Sequence, residues 1–78
     1  MSIDATERSD HYRLWHEGLA HIIELTGLEP DLARKLVGHL LRRADRDPAR
    51  VLQAIRAARE HTPAEPIPWL VAAVEARR

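Results

Sequence analysis

ARKLVGHLLRRADRDPARVLQAIRAARE, running from Ala33 to Glu60, contains the information that decides the fold. Its apolar letters recur at three- and four-residue steps. Ala33, Leu36, Val37, Leu40, Leu41 and Ala44 therefore line one side of a helix. Lys35, His39, Arg42, Arg43 and Arg46 fall roughly opposite them. Asp47-Pro48 then restarts the chain, with a side-chain acceptor for the free N–H groups of a first turn followed by a proline whose missing N–H costs nothing there. Beyond it, Val51, Leu52, Ala54, Ile55 and Ala58 form a second apolar stripe, while Arg50, Arg56 and Arg59 scatter around the remainder. The stretch predicts two amphipathic helices, at about residues 30–45 and 48–61, joined by a short turn.

The same periodicity extends outward. Ser9 or Asp10 can cap a helix over about residues 10–26, in which Leu14, Trp15, Gly18, Leu19, Ile22, Leu25 and Thr26 share one side and Arg13, Glu17 and Glu24 the other. Gly27 suits a left-handed stop and Pro30 a first helical position. TPAEPIPW, residues 62–69, has three prolines in eight residues and predicts a stiff connector. A short last helix over about 68–77 carries Trp69, Leu70, Val71 and Val74, and Arg77-Arg78 suits its negative end. No segment alternates as a strand does. The expectation is an all-α fold, a compact bundle of four helices, forming a single helical domain over residues 9–78 behind a frayed N-terminus at 1–8.

Seventy-eight residues bury little surface, and without cysteine no disulfide or thiolate site can staple them, so packing or oligomerisation must supply the stability. Phenylalanine is absent too, which leaves a core of Leu, Ile, Val and Ala. No apolar run approaches the roughly 20 residues of a membrane span. MSIDATERSD lacks the order of a signal peptide. The chain reads as cytoplasmic, with no membrane partner.

Net charge is zero but unevenly distributed. Residues 1–30 hold six acids against two bases, a balance of −4; residues 31–62 hold eight bases against four acids, a balance of +4. This split predicts either a directed electrostatic surface or an acidic helix lying beside a basic one within the fold.

Catalytic chemistry has little to work with. Serine occurs only at Ser2 and Ser9, and Gly18, Gly27 and Gly38 are isolated rather than grouped in a phosphate loop. His11, His16 and His21 lie five apart, so each is rotated by about 140° from the last and they share no face. We expect no enzyme activity, no cofactor, no metal site and no small-molecule substrate. Gly38 costs roughly 1 kcal/mol inside a helix, which points to a close helix–helix approach at that position ahead of a close-lying partner backbone. Trp69 is either a core anchor or an exposed platform for an unpaired base, the first fitting a protein with few large side chains. Trp15 lies on the apolar side of its helix.

The stripe of cations is the strongest physical pointer to a partner. Lys35, His39, Arg42, Arg43, Arg46 and Arg50, with Arg56 and Arg59 in support, can neutralise phosphates and release counterions. A solvated helix face gives the same pattern. A helix-turn-helix is compatible with the short connection after Ala44, but Gln53, Arg56 and Arg59 are few readers for a specific sequence.

LWHEGLAHIIELTG, ARKLVGHLLRRADRDPARVLQAI and PAEPIPWLVAAVEAR follow one another in an order that resembles the C-terminal helical region of phage- and prophage-type replication proteins, of the DnaD and DnaT kind of replisome organiser and helicase loader. The resemblance rests on Leu25-Thr26-Gly27, Ala33 to Gly38 and Pro66 to Leu70, covers about residues 12–77, and involves hydrophobic and glycine positions without catalytic letters. It implies a helical module near single-stranded DNA or a replicative helicase, while the residues themselves do not choose between single- and double-stranded DNA or name a replication or transcription protein as partner. The chain departs from that pattern in carrying neither a winged-helix domain before the module nor a linker to one, so a stand-alone adaptor or transcription regulator is also expected. The leading expectation is a non-enzymatic DNA-associated accessory protein of a phage-like replication or transcription complex. The alternative is a protein–protein adaptor or homodimeric regulator that does not itself bind nucleic acid.

Overall fold

The computed structural model describes residues 9–76, which form four helices around one apolar core. Helix α1 spans residues 9–26 and changes character midway: Leu14–Gly18 is π-helical and Leu19–Thr26 returns to α. Helices α2, α3 and α4 are Pro30–Arg43, Pro48–His61 and Pro66–Ala76. The expected frayed N-terminus and the terminal Arg77-Arg78 lie outside the described residues.

The breaks between helices follow from local chemistry. At the end of α1, Gly27 adopts φ 74°, and its N–H donates to the Ile23 carbonyl at 2.8 Å. Pro30 and Pro48 each occupy a first helical position. Asp47 is extended and its Oδ1 accepts from the Ala49 N–H at 3.1 Å, capping α3.

Two boundaries differ from those expected. Helix α2 ends at Arg43 rather than near residue 45, because Asp45 and Arg46 both turn left-handed, at φ 58° and 61°. The Arg46 N–H then donates back to the Leu41 carbonyl at 2.7 Å and closes the helix end. Helix α4 starts at Pro66, two residues before the expected position, and so takes in part of the proline-rich connector. The first N–H groups of any helix have no partner within it, so Pro66 and Pro68 forfeit no hydrogen bond. The first bond available, Trp69 N–H to the Glu65 carbonyl, is made at 3.3 Å.

Every helix contributes to the core. Leu14 and Ile22 of α1, Val37 and Leu40 of α2, Val51 and Ile55 of α3, and Leu70 and Val74 of α4 are its largest fully buried side chains. Burial of such a side chain stabilises by about 1.5–3 kcal/mol, the main term holding so small a domain. Trp15 and Trp69 are half-buried, each packing against the core from its rim.

The helical glycines invert one expectation. Space for a Cβ at Gly38 is open, with nothing within 4 Å among the described residues, so none of the described helices crosses closely there. The close approach is at Gly18. A Cβ built there meets Leu14 Cδ1 at 3.1 Å and Leu52 and Ile55 of α3 at 3.4 Å.

Candidate functional site: a basic face and an aromatic groove

Three elements place the candidate phosphate-binding cations. Lys35, His39 and Arg42 lie on α2 opposite its buried stripe, Lys35 and Arg42 exposed and His39 half-buried. Arg46 is exposed in the turn between α2 and α3. Arg56 and Arg59 are exposed on α3. Among the described residues, Lys35, Arg42, Arg46, Arg56 and Arg59 enter no ion pair.

Arg43 and Arg50 are placed differently from the expected open basic face. The Arg43 guanidinium pairs with Glu75 of α4. Arg50 turns inward: its Nη2 donates to the Val74 carbonyl at 2.7 Å and its Nη1 to the Ala44 carbonyl at 3.4 Å, with Asp45 Oδ2 3.7 Å from Nη1. Its side chain is 21 % exposed. The physical reason is that carbonyls at a helix C-terminus have acceptor capacity to spare; that of Ala44 accepts from the Asp47 N–H at 3.2 Å as well. Arg50 stands where it donates to Ala44 at the end of α2 and to Val74 in the last turn of α4. These two arginines tie α2, α3 and α4 together.

A second feature was not read from the sequence. A groove of about 1020 Å³ runs between the start of α1 and the turn before α3. On one wall, Tyr12 and His16 stack with ring centroids 3.9 Å apart at 23°, and His11 tilts against Trp15 at 6.3 Å. On the other lie Asp45, Arg46, Asp47 and Pro48, with Asp10 completing the lining. Tyr12 is 63 % exposed, the most exposed large hydrophobic side chain among the described residues.

The π-helical turn organises the aromatic wall. Within it, Leu19 N–H reaches back five residues to the Leu14 carbonyl. His16 Nδ1 bonds the Tyr12 carbonyl at 2.7 Å. A carbonyl only accepts, so Nδ1 carries the hydrogen and the ring is pinned beneath Tyr12. Tyr12 and His16 are four apart and so share a helix face, which was the available signal. The π-turn and the left-handed pair have no comparable signature. Among the described residues, no group of three or more His, Asp or Glu side chains is placed to hold a metal ion. No helix among them is long and apolar enough to cross a membrane. Compared with protein-family models, with characterised proteins and with solved structures, the chain matches none of them.

Proposed function

We propose that the protein is a non-enzymatic DNA-associated accessory factor of a phage-like replication or transcription complex, binding phosphate backbone through the basic face of α2. The observation that carries this reading is the set of exposed cations without an internal partner: Lys35 and Arg42 on α2, continued by Arg46 in the following turn. Cations already paired within a fold contribute little to phosphate neutralisation, whereas open ones release counterions when they bind. Arg56 and Arg59 are further exposed cations, on α3. Arg43 and Arg50 do not belong to the proposed contact set, because their guanidinium groups are engaged with Glu75 and with helix-end carbonyls. The resemblance of residues 12–77 to replication modules supports the biological setting.

Fluorescence polarisation with labelled single- and double-stranded DNA tests the proposal. Affinity should fall steeply as salt rises, and Lys35→Glu with Arg42→Glu should abolish binding while the helical circular dichroism stays unchanged. Absence of binding to either form of DNA at low salt overturns it. The same experiment favours the alternative, an adaptor or homodimer, if binding is absent and sedimentation shows concentration-dependent association. Leu32, 48 % exposed beside Lys35 on α2, is the observation that keeps this second reading.

A further inference from the structure

We propose that the groove between α1 and the α2–α3 turn receives an arginine side chain presented by a segment of a partner protein. This goes beyond the phosphate-binding reading and uses a surface that shares only Arg46 with it. Three observations converge on it. The first is the exposed ring stack. His16 covers one face of Tyr12, and the large remaining exposure leaves the other face to solvent. A guanidinium stacks well on such a face. The second is charge. Asp10, Asp45 and Asp47 line the groove against one cation, Arg46. Asp47 uses Oδ1 to cap α3 and Asp45 turns Oδ2 towards Arg50, so each retains a second oxygen with no bond among the described residues. The Asp45 side chain is 92 % exposed. A phosphate entering here meets three carboxylates, whereas a guanidinium finds both a ring face and charged acceptors in reach of its planar fork.

The third observation is the backbone. Asp45 and Arg46 are consecutive non-glycine residues in the left-handed region, where glycine would hold the same turn with less strain. The π-turn that carries His16 contributes to the same groove. Strained and π-helical backbone concentrates at functional positions. Here both irregularities line one groove, together with an aromatic face and carboxylates. Lysine fits less well than arginine, since an ammonium neither stacks as a plane nor binds a carboxylate through two parallel bonds.

The test uses the whole chain and a blocked glycine–arginine–arginine–glycine peptide, followed by nuclear magnetic resonance, with lysine and citrulline versions as controls. The arginine peptide should shift the resonances of Tyr12, His16 and Asp45, the lysine version should bind more weakly, and the neutral citrulline version should leave them in place. Tyr12→Ala should weaken binding roughly tenfold. Asp45→Asn should weaken it roughly threefold. Both residues are exposed, and an unchanged amide spectrum elsewhere shows that the variants fold. Equal binding of the citrulline peptide overturns the proposal, as do shifts confined to other acidic residues, indifference to Tyr12→Ala, or no shift up to the solubility limit of the peptide. Shifts of the same groove resonances by a single-stranded oligonucleotide, without any by the peptide, overturn it in favour of nucleic acid. Because Lys35 and Arg42 lie outside the groove, Lys35→Glu with Arg42→Glu should leave peptide binding intact, so the DNA reading and this one fail separately.

Discussion

Gly18 and Gly38 are both helical glycines, and a methyl group added to each meets a different environment. At Gly38 the space is open and the residue is flanked by ordinary helical turns. Gly38→Ala should therefore recover the helical propensity that glycine forfeits, about 1 kcal/mol, and raise the melting temperature by roughly 4–8 °C in a calorimetric scan. At Gly18 even a Cβ sits 3.1 Å from Leu14 Cδ1 and 3.4 Å from two side chains of α3. Gly18→Leu should overpack that contact and destabilise by about 1–3 kcal/mol or more, measured by urea unfolding. The sequence offers no way to rank the two. Both interrupt good helical patterns, and only the partner helix distinguishes them. The periodicity placed Gly18 on the apolar side of α1, but the closeness of α3 there depends on Leu52 and Ile55 arriving from more than thirty positions away.

At the scale of the element, the legible features were those written in local chemistry. Gly27, Pro30 and Asp47-Pro48 each act on the backbone next to them, and the helix starts and stops fall there. The buried stripes of α2 and α3 were legible for the same reason, since period alone fixes which side is apolar. The roles of Arg43 and Arg50 were not, because a helical wheel cannot say which cation will find a carboxylate or a carbonyl on another helix. Arg50 is the decisive case. Its bonds to Ala44 and Val74 join the ends of α2 and α4 through a side chain of α3. Arg50→Met keeps the aliphatic stem and removes the donors to both part-buried carbonyls, of which that of Ala44 keeps its bond from the Asp47 N–H. A loss of about 1–3 kcal/mol in urea unfolding is expected. Arg43→Ala should cost less, at most about 1 kcal/mol, because its pair with Glu75 is nearly half exposed on both sides.

For the whole molecule, the asymmetry of charge is divided between two uses. Part of the basic half is internal: Arg43 answers Glu75, and Arg50 lies near Asp45. Arg34 pairs with Asp31 on the surface of α2, and the remaining five, Lys35, Arg42, Arg46, Arg56 and Arg59, face solvent without a paired carboxylate among the described residues. This division predicts that stability and binding separate. Arg50→Met should lower the urea midpoint and leave DNA affinity per folded molecule unchanged. Lys35→Glu with Arg42→Glu should do the reverse, shifting the midpoint little while removing the salt-dependent binding. A variant set in which both quantities moved together would contradict the division. The sequence showed where the cations are and the total they sum to. It did not show which were already answered, since that depends on how α4 folds back over α2 and α3.

The π-helical turn in α1 has a consequence for how the chain tolerates changes in length. A π-turn takes up one residue more than an α-turn over the same axial rotation. Removing one exposed residue from it, Glu17, should let α1 run on as a regular helix with Leu14 and Ile22 still directed at the core. In any of the other three helices a single deletion rotates everything beyond it by about 100° and carries the apolar stripe off the core. The deletion in α1 should fold and melt cooperatively, and Tyr12 and His16, which both precede it, stay four residues apart. One position in this short protein therefore accepts a length change without loss of its fold, and circular dichroism with a thermal melt will show it.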